Sequence, residues 1–163
     1  MRIAVIADTH MPRGSRMLPG GCVERLQDAD LILHAGDLTG VAFLDELCSF
    51  GPPVEAVHGN MDQPDLRRRL PEVRVVEAGL VRIGMVHIPG TAARRAERLA
   101  ERFPGCAAVV YGHTHVAEVA RHGDTWILNP GSPTERRRSP SRSMLWLTVT
   151  ADRISPELLT FGA

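Results

Sequence analysis

The residues able to do chemistry in this chain fall in a positional pattern: five short apolar runs are each followed closely by side chains that can bind a metal ion. The first run ends in Asp8-Thr9-His10, the second in His34-Ala35-Gly36-Asp37, and the third in His58-Gly59-Asn60-Met61-Asp62. Val86 is followed by His87, and a later run ends in Tyr111-Gly112-His113-Thr114-His115. If the backbone stays extended past the first run, its period of two aims Asp8 and His10 the same way. Sites in open α/β sheets form outside the carboxyl ends of the strands, so the five segments are expected to converge in one crevice. Glycine ahead of Asp37, Asn60 and His113 is expected to let the chain turn sharply there.

Asp8, His10, Asp37, Asn60, His87, His113 and His115 are more ligands than one octahedral ion uses, whereas two ions sharing a bridging carboxylate would use them all. Carboxylate, amide and imidazole donors without thiolate suit Mn, Fe or Zn better than a structural all-cysteine zinc site. Two such ions about 3.5 to 4 Å apart form the arrangement that catalyses phosphoryl displacement. Each imidazole must be neutral to bind, so activity is expected to fall in acid.

The elements that must hold these residues are legible from hydrophobic pattern. Arg2 to Ala7 is a continuous, β-branched run that reads as a strand buried on both faces. Similar runs lie at Leu31 to Leu33, Val54 to Val57, Leu80 to Val86, Ala107 to Tyr111, Trp126 to Leu128 and Met144 to Val149. Val41 to Phe50 carries Val41, Leu44, Leu47 and Cys48 at helical spacing, and Ala96, Leu99, Ala100 and Phe103 repeat the pattern. The second helix has Thr91 as its expected N-cap and Pro104-Gly105 as its stop, and a short third covers Cys22 to Leu26. Helices early and closely spaced strands late predict an α/β chain whose second half is mainly antiparallel hairpins. A four-layer αββα sandwich, two mixed sheets flanked by helices, accommodates that order. Pro12 to Gly20 and Pro130 to Arg142 read as the flexible parts.

Composition bounds the function. The chain has 163 residues, enough for one domain with a sizeable core, and residues 1–163 read as a single domain. All 19 basic side chains are arginine and balance 19 carboxylates, so no global field draws in nucleic acid or membrane. The absence of lysine excludes a Walker-type phosphate loop and Schiff-base chemistry. Aromatic residues at 4% are too few for base-stacking platforms. Three scattered cysteines without a CxxC pair, no signal-like segment and no long apolar stretch lead to the expectation of a reduced, cytoplasmic protein.

The ordered set Asp8-x-His10, Gly36-Asp37, Gly59-Asn60-x-Asp62, His87, Gly112-His113-x-His115 and Asn129-Pro-Gly-Ser132 resembles the calcineurin-like metallophosphoesterase superfamily, especially its small prokaryotic phosphodiesterase branch. The resemblance covers nearly the whole chain. It implies that Asp8, His10 and His115 hold one metal, that Asn60, His87 and His113 hold the other, and that Asp37 bridges them. A metal-bridging hydroxide would then attack a phosphodiester, with two divalent transition-metal ions as cofactors: manganese by expectation, with Fe, Zn or Ni suiting the same donors. Asn60 would act both as ligand and on the phosphate side.

Two departures from that family stand out. Many members carry a proton-donating histidine directly after the asparagine, where this chain has Met61, and methionine has no proton to give. His58 or a metal-bound water would have to supply the proton to a leaving group. The Gly-His often found after the family's equivalent of His87 is replaced by Ile88-Pro89. Asp62 and His34 read as supporting residues, Asp62 by accepting backbone N–H bonds in its turn. His122 reads as packing or as a supporting hydrogen-bond partner, and the cysteines and methionines as packing. Of the basic runs Arg67 to Arg69 and Arg136 to Arg138, the second follows the Asn129-to-Ser132 motif and by resemblance lies near the metal rim. There an arginine would suit a phosphate, though the sequence singles out none of the three. A small phosphate ester is the expected partner. The same metals would also serve a phosphomonoesterase or nuclease. A rival of another class is an interaction scaffold resembling retromer's metallophosphoesterase-like subunit, in which a similar fold serves chiefly to bind protein.

Overall fold

The computed structural model describes residues 1–162. The chain runs β1 (Arg2–Ile6), α1 (Gly20–Asp28), β2 (Leu31–His34), α2 (Val41–Ser49), β3 (Val54–Ala56), α3 (Pro64–Arg69), β4 (Val73–Ala78) and β5 (Val81–Val86). It continues through α4 (Arg95–Arg102), β6 (Ala108–Tyr111), β7 (Glu118–His122), β8 (Thr125–Asn129), β9 (Arg142–Thr150) and β10 (Arg153–Phe161). Two mixed five-stranded sheets form, in the orders β10-β9-β1-β2-β3 and β4-β5-β6-β8-β7.

Side-chain alternation explains the layers. Ile3, Val5, Leu31 and Leu33 of one sheet meet Ile83, Met85, Ala108 and Val110 of the other in the central core. The residues between them in sequence, Ala4, Ile6 and Ile32, point outward onto Cys22, Leu26, Phe43, Leu47 and Leu66 of α1, α2 and α3. Val86, Val109 and Tyr111 of the second sheet likewise pack on Leu99 and Phe103 at α4. Strands covered on both faces carry no polar alternation, which is why β1, β2 and β6 read as continuous apolar runs. The αββα sandwich expected from sequence is the observed architecture.

The connections set where the site falls. β1, β2 and β3 pair in parallel through crossover helices, and β5 runs parallel to β6, with α4 between them in sequence. Their carboxyl ends therefore lie at one edge of the sandwich, to which β8 adds its own by running parallel to β6. The second half is thus less antiparallel than expected, because the α4 segment is long enough to bring the chain back for a parallel pairing.

Four elements went unread in the sequence. Three of them, β4, β7 and β10, are edge strands, and charged residues such as Arg74, Arg121 and Glu157 interleave on their open faces. Nothing on β7 is fully buried, and on β10 only Ile154 is. The fourth, α3, is held by a single buried residue, Leu66. α1 extends beyond Cys22 to Leu26 at both ends, and α2 buries Phe43 and Leu47 while Cys48 stays exposed. Thr91 does not cap α4: the residue before the helix is Arg94, in a left-handed conformation, and Arg98 folds back onto the carbonyls of Ala93 and Thr91. No helix among the described residues is long and apolar enough to cross a membrane.

Candidate metal centre

The backbone at the carboxyl edge is unusual before any side chain is considered. Asp8, His10, Asp37, Thr39, His113 and His115 all have positive φ, between 48° and 95°, a region that non-glycine residues rarely enter. They come as pairs two residues apart on three different loops. Each such residue costs on the order of 1–3 kcal/mol and persists only where its surroundings enforce it, as at functional sites. The extended backbone expected to aim Asp8 and His10 together does not continue past Ile6. Both side chains nonetheless turn inward because both residues are left-handed, and they are 0% and 2% exposed. Cross-loop bonds hold these conformations: the Asp8 and His10 amides donate to the carbonyls of Gly36 and Asp37, each at 3.0 Å.

The glycines serve closeness more than turning. Gly36 is left-handed, but Gly59 and Gly112 are not. A Cβ on Gly59 would stand 2.1 Å from Asp37 Oδ1, and one on Gly112 would stand 2.9 Å from the Ala35 carbonyl and 3.0 Å from Asp8 Oδ2. Loop meets loop at both points, within the first sheet at Gly59 and between the two sheets at Gly112, with no room for a side chain.

The seven predicted residues come to this edge. Asp8, His10 and His115 present ligand atoms mutually within 4.8 Å, and so do Asp8, Asp37 and His87. Asp37 Oδ2 lies between the two histidine groups, 3.8 Å from His10 Nε2 and 3.2 Å from His87 Nε2. The His10 and His115 rings stack with centroids 5.2 Å apart, and their Nε2 atoms are 3.3 Å apart. His113 stands outside both close groups, its ring edge-on to His87, and its Nδ1 is 3.0 Å from Asn60 Oδ1. Asn60 and His113 are exposed while the others are buried, so one side of the centre opens to solvent.

The buried donors lack partners that would satisfy them. Asp8 Oδ1, His87 Nε2 and His115 Nδ1 are buried without a hydrogen bond among the described residues. His87 donates Nδ1–H to the Ala35 carbonyl at 2.8 Å, which leaves the lone pair of Nε2 facing the carboxylates of Asp37 and Asp8. Nε2 can face two carboxylates only with a shared cation, and either a proton or a divalent ion serves as one. The proton affinities show the same strain. Burial lifts the Asp8 carboxyl to about 7. Burial alone would lower His87, but the adjacent carboxylates of Asp37 and Asp8 raise it above its ordinary value. Burial lowers His10 and His113 and takes His115 to about 3, so these imidazoles are neutral and able to ligate.

Supporting residues hold this set in place. Both oxygens of Asp62 accept backbone N–H bonds: Oδ2 from Asp37 and Gly59 at 3.1 and 2.7 Å, and Oδ1 from Thr39 at 2.6 Å. His34 Nδ1 accepts from the Gly36 amide, so its Nε2–H donates to Thr9 Oγ1 at 2.9 Å. Burial holds this imidazole neutral, with a pKa of about 3.

The segment from Pro130, read as flexible, is buried through Thr134. Ser132 donates to the Asp8 carbonyl and Thr134 to the Thr9 carbonyl, both at 2.8 Å, while Asn129 donates to the Gly112 carbonyl at 3.2 Å. Sequence reasoning missed Glu135, whose Oε2 stands 3.5 Å from His115 Nδ1 and is placed to fix the tautomer that leaves Nε2 free. The available signal was its place three residues after Ser132. His58 lines a small hollow of about 130 Å³ beside the centre with Asn60, Arg67, His87 and Ile88, and its buried Nδ1 has no partner among the described residues. Met61 is 47% exposed, and His122 lies exposed on β7. A cavity of about 680 Å³ at the amino ends of β6 and β8 shares none of the candidate ligands.

Comparison with known proteins bears on this centre. The family described as the calcineurin-like phosphoesterase superfamily domain matches residues 1–152. A probable metallophosphoesterase of Methanothermobacter thermautotrophicus is 35% identical, over 100% of this chain and 94% of its own. A second, from Methanocaldococcus jannaschii, is 34% identical over 98% of this chain and 81% of its own. Among solved structures, wild-type Vps29 of Entamoeba histolytica, complexed with zinc, superposes with a TM-score of 0.78. It is 25% identical and covers 99% of this chain and 100% of its own.

Proposed function

The chain belongs to the calcineurin-like phosphoesterase superfamily, and on that premise we propose that it is a cytoplasmic, single-domain phosphodiesterase with two divalent metal ions, manganese first among them. The observation that carries this reading is the pair of buried ligand atoms, Asp8 Oδ1 and His87 Nε2, that no hydrogen bond among the described residues satisfies. Two ions held by Asp8, His10 and His115 on one side and Asn60, His87 and His113 on the other, with Asp37 between, would activate water near neutral pH and draw charge from the phosphoryl oxygens. The chain's own residues do the rest. Glu135 and the Ala35 carbonyl orient the imidazoles of His115 and His87, Asp62 fixes the turn that carries Asn60, and the exposed Asn60 and His113 leave the substrate a way in.

Met61 favours diesters with good leaving groups over monoesters, since it gives no proton to a departing alkoxide. His58, beside Asn60 in the small hollow, is the group placed to do so. A second reading, protein docking at this face, is favoured by one observation: Met61, Ile88 and Val116 are 47%, 49% and 45% exposed, and each directly follows a candidate ligand.

Metal content, measured beside cleavage of bis-p-nitrophenyl and p-nitrophenyl phosphate with added Mn²⁺, tests the proposal. Close to two ions per chain and Mn-dependent cleavage of the diester are expected, both lost in Asp37→Asn. Two ions with neither ester cleaved would favour the docking reading, and no metal under any loading condition would refute the catalytic one.

A further inference from the structure

Of the three arginines in the 136–138 run, the structure separates one from the others. Arg137 donates its Nε–H to Glu135 Oε2 at 3.1 Å, and that same oxygen stands 3.5 Å from His115 Nδ1. Its guanidinium is therefore fastened one carboxylate away from a buried candidate ligand, on the side of Asp8, His10 and His115. The two terminal nitrogens of Arg137 have no partner among the described residues, and its side chain is 54% exposed, so four N–H donors are open to a ligand. Arg136 instead turns back to the Pro140 carbonyl of its own loop at 3.5 Å, and Arg138 makes no hydrogen bond or ion pair among the described residues.

The loop that carries Arg137 is tied to the centre on both sides. Before it, Ser132 and Thr134 bond the carbonyls of Asp8 and Thr9, and after it Ser139 bonds the His115 carbonyl at 2.9 Å. Arg137 itself has a left-handed backbone, φ 44°, within this anchored stretch. Charge bookkeeping points the same way. Glu135 is already paired with Arg16, so the cluster of two arginines and one carboxylate keeps a net positive charge.

We propose that Arg137 is the anion-binding arginine of this centre, its terminal nitrogens taking a non-bridging oxygen of the substrate's phosphoryl group. The inference rests on the phosphoesterase reading above and extends it to a specific substrate contact. A guanidinium fork suits two-point binding of phosphate, and one already held at Nε loses less freedom on binding than a free side chain does. Glu135 then acts twice, orienting His115 with the oxygen that also tethers Arg137.

Inorganic phosphate, titrated calorimetrically into the manganese-loaded protein with metal content measured on the same samples, tests this. Arg137→Ala is expected to keep its metal and to weaken phosphate binding roughly 10- to 100-fold, the loss of a charge-assisted contact. Arg137→Lys is expected to recover part of that, while Arg136→Ala and Arg138→Ala stay within about twofold of the parent, as the loss of solvated charges allows. Parent-like phosphate binding by Arg137→Ala with its metal in place overturns the inference and leaves the phosphoesterase reading standing. Loss of metal in that variant also overturns it, since Arg137 would then serve the ligand set and not the anion. A metal-loaded parent that binds no phosphate would bring down both together.

Discussion

Substituting Gly59 by alanine isolates the most crowded contact at the centre. Gly59 has an ordinary backbone conformation, so alanine meets no φ penalty there and the whole effect is steric. The new Cβ would lie 2.1 Å from Asp37 Oδ1, 2.6 Å from Asp37 N and 2.8 Å from Asp37 Cγ. Reaching even 3.0 Å, the closest approach that real Cβ atoms show, requires the carboxylate to withdraw by close to 1 Å. It would have to do so against the Met61 amide, which donates to Asp37 Oδ1 at 2.8 Å, and against Asp62, which holds the amides of both Asp37 and Gly59. Overpacking of this kind costs about 1–3 kcal/mol, and the lost amide bond adds about 1 kcal/mol. At about 2–4 °C per kcal/mol for a chain of this length, Tm should fall by roughly 4 to 16 °C. A carboxylate displaced by 1 Å should also lower turnover by about 100-fold. Differential scanning calorimetry, metal analysis and diester cleavage read the three effects. Gly20→Ala, where an added Cβ has nothing within 4 Å, is the control. A Gly59→Ala protein with the parent's Tm, metal content and turnover would refute the claim that this glycine exists to admit the Asp37 carboxylate.

Other perturbations probe the supporting groups. Asp62→Ala strands the amides of Asp37, Thr39 and Gly59 and should cost about 3 to 5 kcal/mol in denaturant unfolding, so a loss below about 1 kcal/mol would contradict its bracing role. Glu135→Gln should weaken metal binding by about 10- to 100-fold in a chelator competition, and unchanged affinity would show that Glu135 does not orient His115. In chelator-treated protein the raised Asp8 pKa has a definite sign. The stability Asp8 contributes is complete below its unfolded value of 3.8 and is lost as pH rises through its folded value of about 7. Asp8→Asn should therefore gain stability relative to the parent, on the order of 4 kcal/mol, between pH 4 and pH 7. Saturating Mn²⁺ should reverse that order, and a difference that does not vary with pH in chelator would sink the argument.

How much of this was legible in sequence depends on what each residue answers to. β1, β2 and β6 announce themselves because covering both faces requires an unbroken apolar run, whereas β4, β7 and β10 stay hidden because an edge strand satisfies its exposed face with Arg, Glu and His. The candidate donors were visible for the related reason that polar side chains directly after a buried strand have few other uses. Residues acting through space were not visible. Glu135 meets His115 across 20 positions of chain, and the choice of Arg137 over Arg136 and Arg138 rests on which guanidinium a carboxylate catches.

The candidate donors, their order along the chain and the layered architecture could all be read from residue type and hydrophobic period, which are local properties. Only the tertiary structure decided how the donors are aimed. Asp8 and His10 turn inward through paired left-handed residues, and Gly59 and Gly112 matter because another loop passes within contact distance. Both are consequences of strand ends gathering at one edge, within a sheet at Gly59 and between sheets at Gly112, and no local spacing encodes the gap between segments that meet only in the folded state.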